Sequence, residues 1–350
     1  MSNNILHNNA CLLENTPQRA TYTSLEGRKT MGGKPVFSVP SKSILNFSSR
    51  FGSKLLCTDI KGNGTTFSSG TACVYSCAFC YVPAVGLMSK QKDLYSTVQG
   101  KHEDIVIRRE NAVEVVHNQL DRLSSAKRND GRIIYASHLV DVAANMILAR
   151  ETIEICKEIL SFTNWHIRLL SKSNLLPVVA KGLPEDEKGR MIYGVSTGTL
   201  DDNLAKAFER GTPLVSKRIE SLHWLQDNGY RTFGMICPSL PQTNYQKFAE
   251  EMRDTIRYEL CEHVWAEVLN ARGESFTRTF EALKSGGFDD IAEQFEAVSS
   301  DNAAWETYAR NTFLAHTNCC EPEKLRFLQY VTKKTRQWWE ERKILGAVVL

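Results

Sequence analysis

The chain lacks any apolar run approaching the ~18–20 residues that span a bilayer, so no transmembrane helix is predicted. Its opening residues, MSNNILHNNACLLENT, lack the basic n-region and unbroken apolar core of a secretory signal. It has little charge of one sign: 43 Lys and Arg against 40 Asp and Glu leave +3. That is too weak to argue for nucleic-acid or membrane binding on net charge alone. No internal repeat and no low-complexity tract is present. Hydrophobic residues at 42% and charged residues at 24% are ordinary for a folded chain, which excludes wholesale disorder. A soluble, cytoplasmic protein is the expectation.

At 350 residues the chain exceeds one average domain. Residues 1–65 are polar, rich in Ser and Asn, and weakly patterned, and they read as an N-terminal extension. From about Phe67, short apolar runs alternate with segments of helical period. The candidate strands are Phe67–Ala72, Arg132–Leu139, Trp165–Leu170, Met191–Val195, Arg231–Cys237 and His263–Leu269. The candidate helices are Asn111–Leu123, Val142–Leu160, Asp202–Phe208, Ser216–Gln226 and Tyr245–Tyr258. Ala112, Val115, Val116, Leu120 and Leu123 mark one apolar helix face. Strands separated by helices predict βαβ units and a parallel sheet over residues 66–286. Six units are too few for a closed eight-stranded barrel, so an open or partial barrel is expected. Residues 287–350 read as a C-terminal helical region, acidic first and then basic.

In such a barrel the working groups sit at the C-terminal ends of the strands. Each candidate strand is followed by polar or ligating residues: the Cys73–Tyr81 segment, His138 and Asp141, Ser171-Lys-Ser173, Ser196-Thr-Gly-Thr199, Pro238-Ser239, and Asn270-Ala-Arg272-Gly-Glu274. A single polar loop carries no meaning, because loops are solvated. Six at one rim, headed by three thiols, carry more.

Ten cysteines would suggest disulfides in an oxidising compartment, but not in a reducing cytosol. Most of them read as small buried hydrophobes. Cys73, Cys77 and Cys80 are different, with three of the ten thiols inside eight residues. Thiolates suit Zn, Cu(I) or iron–sulfur clusters. Structural zinc takes four protein ligands, and the nearest fourth is Cys57 or His102, neither in a paired knuckle. Three thiols without a fourth suit a 4Fe-4S cluster with one open iron. Zinc is redox-inert and could not supply an electron.

The spacing Cys73-x3-Cys77-x2-Cys80 followed by Tyr81 resembles the radical S-adenosylmethionine (SAM) signature. Leu170-Ser-Lys-Ser173, Val195-Ser-Thr-Gly-Thr-Leu-Asp-Asp202, Leu204-Ala205, Glu209-Arg-Gly-Thr-Pro213 with Arg218, and Asn270-Ala-Arg-Gly273 resemble the spore photoproduct lyase family and its DNA-repair photolyase-like relatives, over residues 66–275. The resemblance implies a partial (β/α)6 barrel of radical SAM type and a lyase-like enzyme. Cys73, Cys77 and Cys80 would hold a 4Fe-4S cluster, and the open iron would bind S-adenosylmethionine. Reductive cleavage would give a 5′-deoxyadenosyl radical that takes hydrogen from a substrate, with nucleic acid as the class the family suggests. A reductant protein such as a flavodoxin or ferredoxin would supply the electron.

The resemblance also assigns cofactor-binding positions. Tyr81 would lie against the adenine, and Lys172 would pair with the SAM carboxylate. Ser196 would lie near the ribose or carboxylate. Asp141 would contact the amino group, although Asp is also a preferred N-cap for a helix starting at Val142. Arg272 would face SAM or substrate, or pin its own loop. One departure stands out. The family's hydrogen-donating cysteine after the second strand is missing, since Tyr135-Ala-Ser-His-Leu-Val-Asp141 contains none. The competing reading is a zinc-stabilised nucleic-acid-binding module without catalysis, which would bind with strong salt dependence. The weak +3 charge and long α/β core argue against it. His316, Cys319 and Cys320 make a poor metal set. The tail of Lys324–Lys343, with Phe327, Tyr330, Trp338 and Trp339, reads either as a single-strand stacking surface or as a docked amphipathic helix.

Overall fold

The structure is a computed structural model and describes residues 30–47, 64–84, 102–136, 139–269 and 274–350. The first part of the chain supplies short strands: β1 (Thr30–Met31), β2 (Lys34–Val39), β3 (Leu45–Asn46), β4 (Thr65–Phe67), β5 (Gly70–Ala72), β6 (Ser76–Cys77) and β7 (Val106–Arg109). The rest are β8 (Ile133–Ala136), β9 (His166–Ser171), β10 (Met191–Ser196), β11 (Glu209–Arg210), β12 (Arg231–Ser239), β13 (Cys261–Val268), β14 (Leu325–Gln329) and β15 (Ala347–Val349). The main helices are α1 (Ala112–Asp121), α2 (Met146–Phe162), α3 (Leu176–Lys181), α4 (Asp202–Phe208), α5 (Val215–Asp227), α6 (Tyr245–Ile256), α7 (Ser275–Ser285), α8 (Asp289–Ser299), α9 (Asn302–Thr317) and α10 (Arg336–Glu340).

The main sheet runs β15-β14-β13-β12-β10-β9-β8-β4-β3. From β4 to β15 every neighbouring pair is parallel, and only β3 is antiparallel. The order in space follows the order in sequence, as in a singly wound barrel. Among the described residues β3 and β15 are its unjoined edges, so the barrel is open. Strand residues alternate sides. Ile134, Ala136, Ile167, Leu169, Tyr193 and Val195 face the helical layer, while Ile133, Tyr135, Ile192, Phe233, Met235 and Trp265 fill the interior. Gly194 is required there: a Cβ would lie 2.2 Å from the Phe233 ring.

The six expected strands all occur, with three differences around them. The predicted Phe67–Ala72 strand breaks in two. β4 stays in the barrel, and β5 leaves it to pair antiparallel with β7 in a second sheet, β1-β2-β7-β5. Gly70 permits this crossing, because a Cβ there would sit 2.4 Å from the Ile107 carbonyl oxygen. Part of the expected N-terminal extension also folds: residues 30–46 supply β1, β2 and β3, and β3 joins the main sheet.

The third difference is in residues 287–350, which are not helical throughout. They add β14 and β15 to the parallel sheet, giving eight parallel strands instead of six. Leu325 and Phe327 point to the helical layer and Leu328 points inward. Runs of five and three residues among basic side chains are too short to show this alternation clearly. The aromatic tail docks. Trp339 is fully buried, donates to Glu306 Oε1 at 2.8 Å, and stacks on Phe327 with ring centroids 5.7 Å apart. Arg310 and Arg342 lie 4.4 and 3.8 Å from the Trp338 ring. No helix among the described residues is long and apolar enough to cross a membrane.

His316 on α9 is fully buried, with Tyr258 Oη 3.5 Å from its Nδ1 and Phe248 edge-on. Cys320 is buried nearby and Cys319 packs against Ala249. Burial lowers the His316 pKa from an ordinary 6.5 to about 4. Between those values the unfolded chain holds the extra proton, so this contribution to stability is complete above pH 6.5 and is lost as the pH falls toward 4. At pH 5 the loss is about 2 kcal/mol. Urea unfolding at pH 7 and pH 5 should show this loss in the wild type and a smaller one in His316→Phe. Equal losses in both proteins would contradict the assignment.

Candidate functional site

The C-terminal ends of the strands bring seven of the expected residues and their neighbours together. One cavity is lined by Cys73, Cys77, Cys80, Tyr81, Asp141, Lys172 and Ser196, with Tyr75, Phe79, Leu139 and Leu170 as apolar walls. Ser171 and Lys172 close β9, Ser196 closes β10, and Asp141 follows β8. Arg272 and His138 lie outside the described residues.

The cysteine loop is tied down at several points. Ser76–Cys77 pairs antiparallel with Glu209–Arg210. The Ala78 N–H donates to the Phe208 carbonyl at 2.8 Å, and the Cys80 N–H turns back to the Cys77 carbonyl at 3.1 Å. Phe79 packs on Phe208, and the Lys172 ammonium lies 5.1 Å from its ring. From outside, Lys34 Nζ donates to the carbonyls of Cys73 and Tyr75 at 3.3 and 3.2 Å. Arg278 Nη2 donates to the Cys80 carbonyl at 2.7 Å.

The thiols are partly exposed to the cavity but poorly solvated. Burial pushes Cys73 up to about 12, with the charge of Asp141 adding to the rise. Burial pushes Cys77 well above its usual value, and Glu209 adds to that. Cys80 is raised by burial too, against the pull of Arg278 and Lys34. At neutral pH these groups are thiols, and a metal that bound them would displace their protons.

Asp141 braces the rim instead of capping a helix. Its Oδ1 accepts from Ser171 Oγ at 2.7 Å and from the Ala143 N–H at 2.9 Å, and its Oδ2 accepts from the Lys172 N–H at 2.7 Å. Its own N–H points at Cys73 Sγ, 3.4 Å away. The helix starts later, at Met146, where Asn145 caps Ile147 and Leu148. Burial raises the Asp141 pKa against these hydrogen bonds.

Lys172 gives its three donors to Ser196 Oγ at 3.0 Å, Glu209 Oε1 at 2.7 Å and the Cys237 carbonyl at 3.1 Å. Glu209 is fully buried and also meets Arg218 Nη1 at 2.5 Å. Arg218 is fully buried as well, and reaches Pro213 O at 2.9 Å, Ser196 O at 3.2 Å and Thr212 Oγ1 at 2.5 Å. The Glu209-Arg-Gly-Thr-Pro213 motif is therefore an internal clamp. It holds the Lys172 ammonium and the Ser196 hydroxyl at the wall of the cavity that the thiols also line.

Four residues here carried no assigned role from the sequence. Glu209 and Arg218 were visible within a quoted motif, since a buried Glu needs cations and a buried Arg needs acceptors. Lys34 and Arg278 had no local signal, because they act from strands and helices distant in sequence.

Among the described residues, no three His, Cys, Asp or Glu side chains converge as ligands of one metal ion. Three cysteines around a cavity with no other Cys or His in its lining suit a polynuclear group.

The chain matches no protein-family model and no curated protein. Its fold does match solved structures. A single-substitution variant of spore photoproduct lyase aligns with a TM-score of 0.51 at 11% identity, over 79% of this chain and 86% of that one. Another such variant gives 0.51 at 11% identity, over 76% and 74%. Spore photoproduct lyase complexed with dinucleoside spore photoproduct gives 0.49 at 13% identity, over 71% of this chain, which spans 66% of that chain's length. The likeness is one of fold: the parallel sheet is a partial barrel of the radical SAM type.

Replacing Glu209 by Gln keeps hydrogen-bonding atoms but removes the charge between two buried cations. Breaking a buried pair in this way costs about 3–5 kcal/mol. Urea unfolding of Glu209→Gln should show a loss of that order. A loss below about 1 kcal/mol, the range of an exposed pair, would show that the clamp is not needed.

Proposed function

We propose that this chain is a radical SAM enzyme, a reading carried by one observation: three thiols, with no fourth Cys or His beside them among the described residues, share a cavity with Lys172, Ser196 and Asp141. Cys73, Cys77 and Cys80 would hold a 4Fe-4S cluster. When bound, that cluster leaves one iron open to S-adenosylmethionine and supplies the electron that releases a 5′-deoxyadenosyl radical to take hydrogen from a substrate. The donor set fits such a group, since soft thiolates suit iron and sulfide.

The chain's own residues bind and orient the nucleoside. Lys172 presents a cation at the cavity wall for the carboxylate, which would take over a donor now given to Ser196 or to the Cys237 carbonyl. Asp141 offers a partly desolvated carboxyl to the amino group, and a cation there would favour its ionised form. Tyr81, next to Cys80, gives a wall for the adenine, and Arg272, outside the described residues, would face SAM or substrate or pin its own loop. The apolar walls at Phe79, Leu139 and Leu170 exclude water from a reactive species.

We propose nucleic acid as the substrate class and a flavodoxin- or ferredoxin-type protein as the reductant. Spore photoproduct lyase, which shares the fold, is solved with a dinucleoside spore photoproduct. Because this chain has no cysteine between Cys80 and Cys156, its return of hydrogen cannot use a thiol in the loop after β8.

Anaerobically purified protein should contain about four irons and four sulfides per chain. Reduced with dithionite in the presence of SAM, it should release 5′-deoxyadenosine. Cys77→Ala should lose both properties. A colourless protein with one zinc and tight, salt-dependent nucleic-acid binding would overturn the proposal in favour of the binding module.

A further inference from the structure

The cysteine loop is gripped on its outer side by two cations from remote parts of the chain. Lys34, on β2, reaches the carbonyls of Cys73 and Tyr75 across 39 and 41 residues. Arg278, on α7, reaches the Cys80 carbonyl across 198 residues. A depression of about 450 Å³ lies here, with Cys77 and Ala78 among its lining residues. Glu103, Asp104 and Glu281 also line the depression, and Glu103 lies 3.8 Å from Arg278 Nη1, too far for a hydrogen bond.

A carbonyl needs only a neutral donor, and a serine or glutamine would serve. A half-buried ammonium is a costly way to provide one, because taking a charge out of water is expensive. The placement is explained if the loop carries negative charge. Reduction adds an electron to an iron–sulfur group, and nearby charge and hydrogen bonding set its potential. Cations beside the loop stabilise the reduced form.

We infer that Lys34 and Arg278 are positioning residues that raise the reduction potential of the iron–sulfur group held by Cys73, Cys77 and Cys80, an inference that rests on the function proposed above. They touch the loop backbone and not the reacting atoms, so their effect is read in the potential.

The test is an EPR-monitored redox titration of the full-length, anaerobically reconstituted chain, with iron content measured alongside. Lys34→Met and Arg278→Met should keep their iron. At a fixed potential each should show a reduced-to-oxidised ratio about tenfold below wild type, a fall of about 59 mV for a one-electron couple. Lys34→Arg should stay within about twofold of wild type. Lys34→Gln keeps a donor to the carbonyls without the charge, so the comparison survives if methionine loosens the loop. Full iron with a wild-type midpoint in Lys34→Gln and Arg278→Met would overturn the inference while leaving the enzyme assignment intact. A wild-type chain that takes up no four-iron group would instead overturn the assignment itself.

Discussion

A carboxylate with no access to water, Glu209, sits between two cations, and the geometry of the cavity depends on it. Taking a charge out of water is expensive unless partners compensate, and here Lys172 and Arg218 do so from opposite sides. The strand that carries Glu209 also pairs with Ser76–Cys77. One residue thus couples the thiol loop to the ends of β9 and β10. The ion network serves less as a source of net stability than as a way of fixing where a cation and three thiols stand relative to each other.

The remaining supports act on the same loop. Asp141 links the turn after β8 to the end of β9 and turns its own N–H toward Cys73. Lys34 and Arg278 satisfy carbonyls on the outer side. The barrel interior below is closed by aromatic packing, with Phe233 filling the space above Gly194. A loop restrained by both faces of the protein can hold an inorganic group without rearranging.

The parallel core was legible in the sequence because the βα units repeat both signals, short continuous apolar runs for strands buried on both faces and period-3.6 helices. The cysteine spacing and the polar strand ends pointed to the rim where the cavity lies. What could not be read were features without local periodicity. β14 and β15 are short and flanked by basic side chains. The split between β4 and β5 depends on a close approach at Gly70 that only the folded chain shows. Asp141 was ambiguous between cap and site residue, because an aspartate before a helical segment looks the same in either role. Only the position of Asn145 resolves it. Lys34 and Arg278 are contacts of the tertiary fold and leave no trace in the spacing of the motif.

The central claim is that Cys73, Cys77 and Cys80 would hold an iron–sulfur cluster able to take S-adenosylmethionine as a further ligand in the cavity shared with Lys172 and Ser196. The most direct measurement is the low-temperature EPR spectrum of the dithionite-reduced protein with and without S-adenosylmethionine. The account predicts that adding S-adenosylmethionine changes the signal of the reduced cluster, because its amino and carboxylate groups coordinate the open iron. An identical spectrum in both samples, from protein carrying its full iron content, would contradict it.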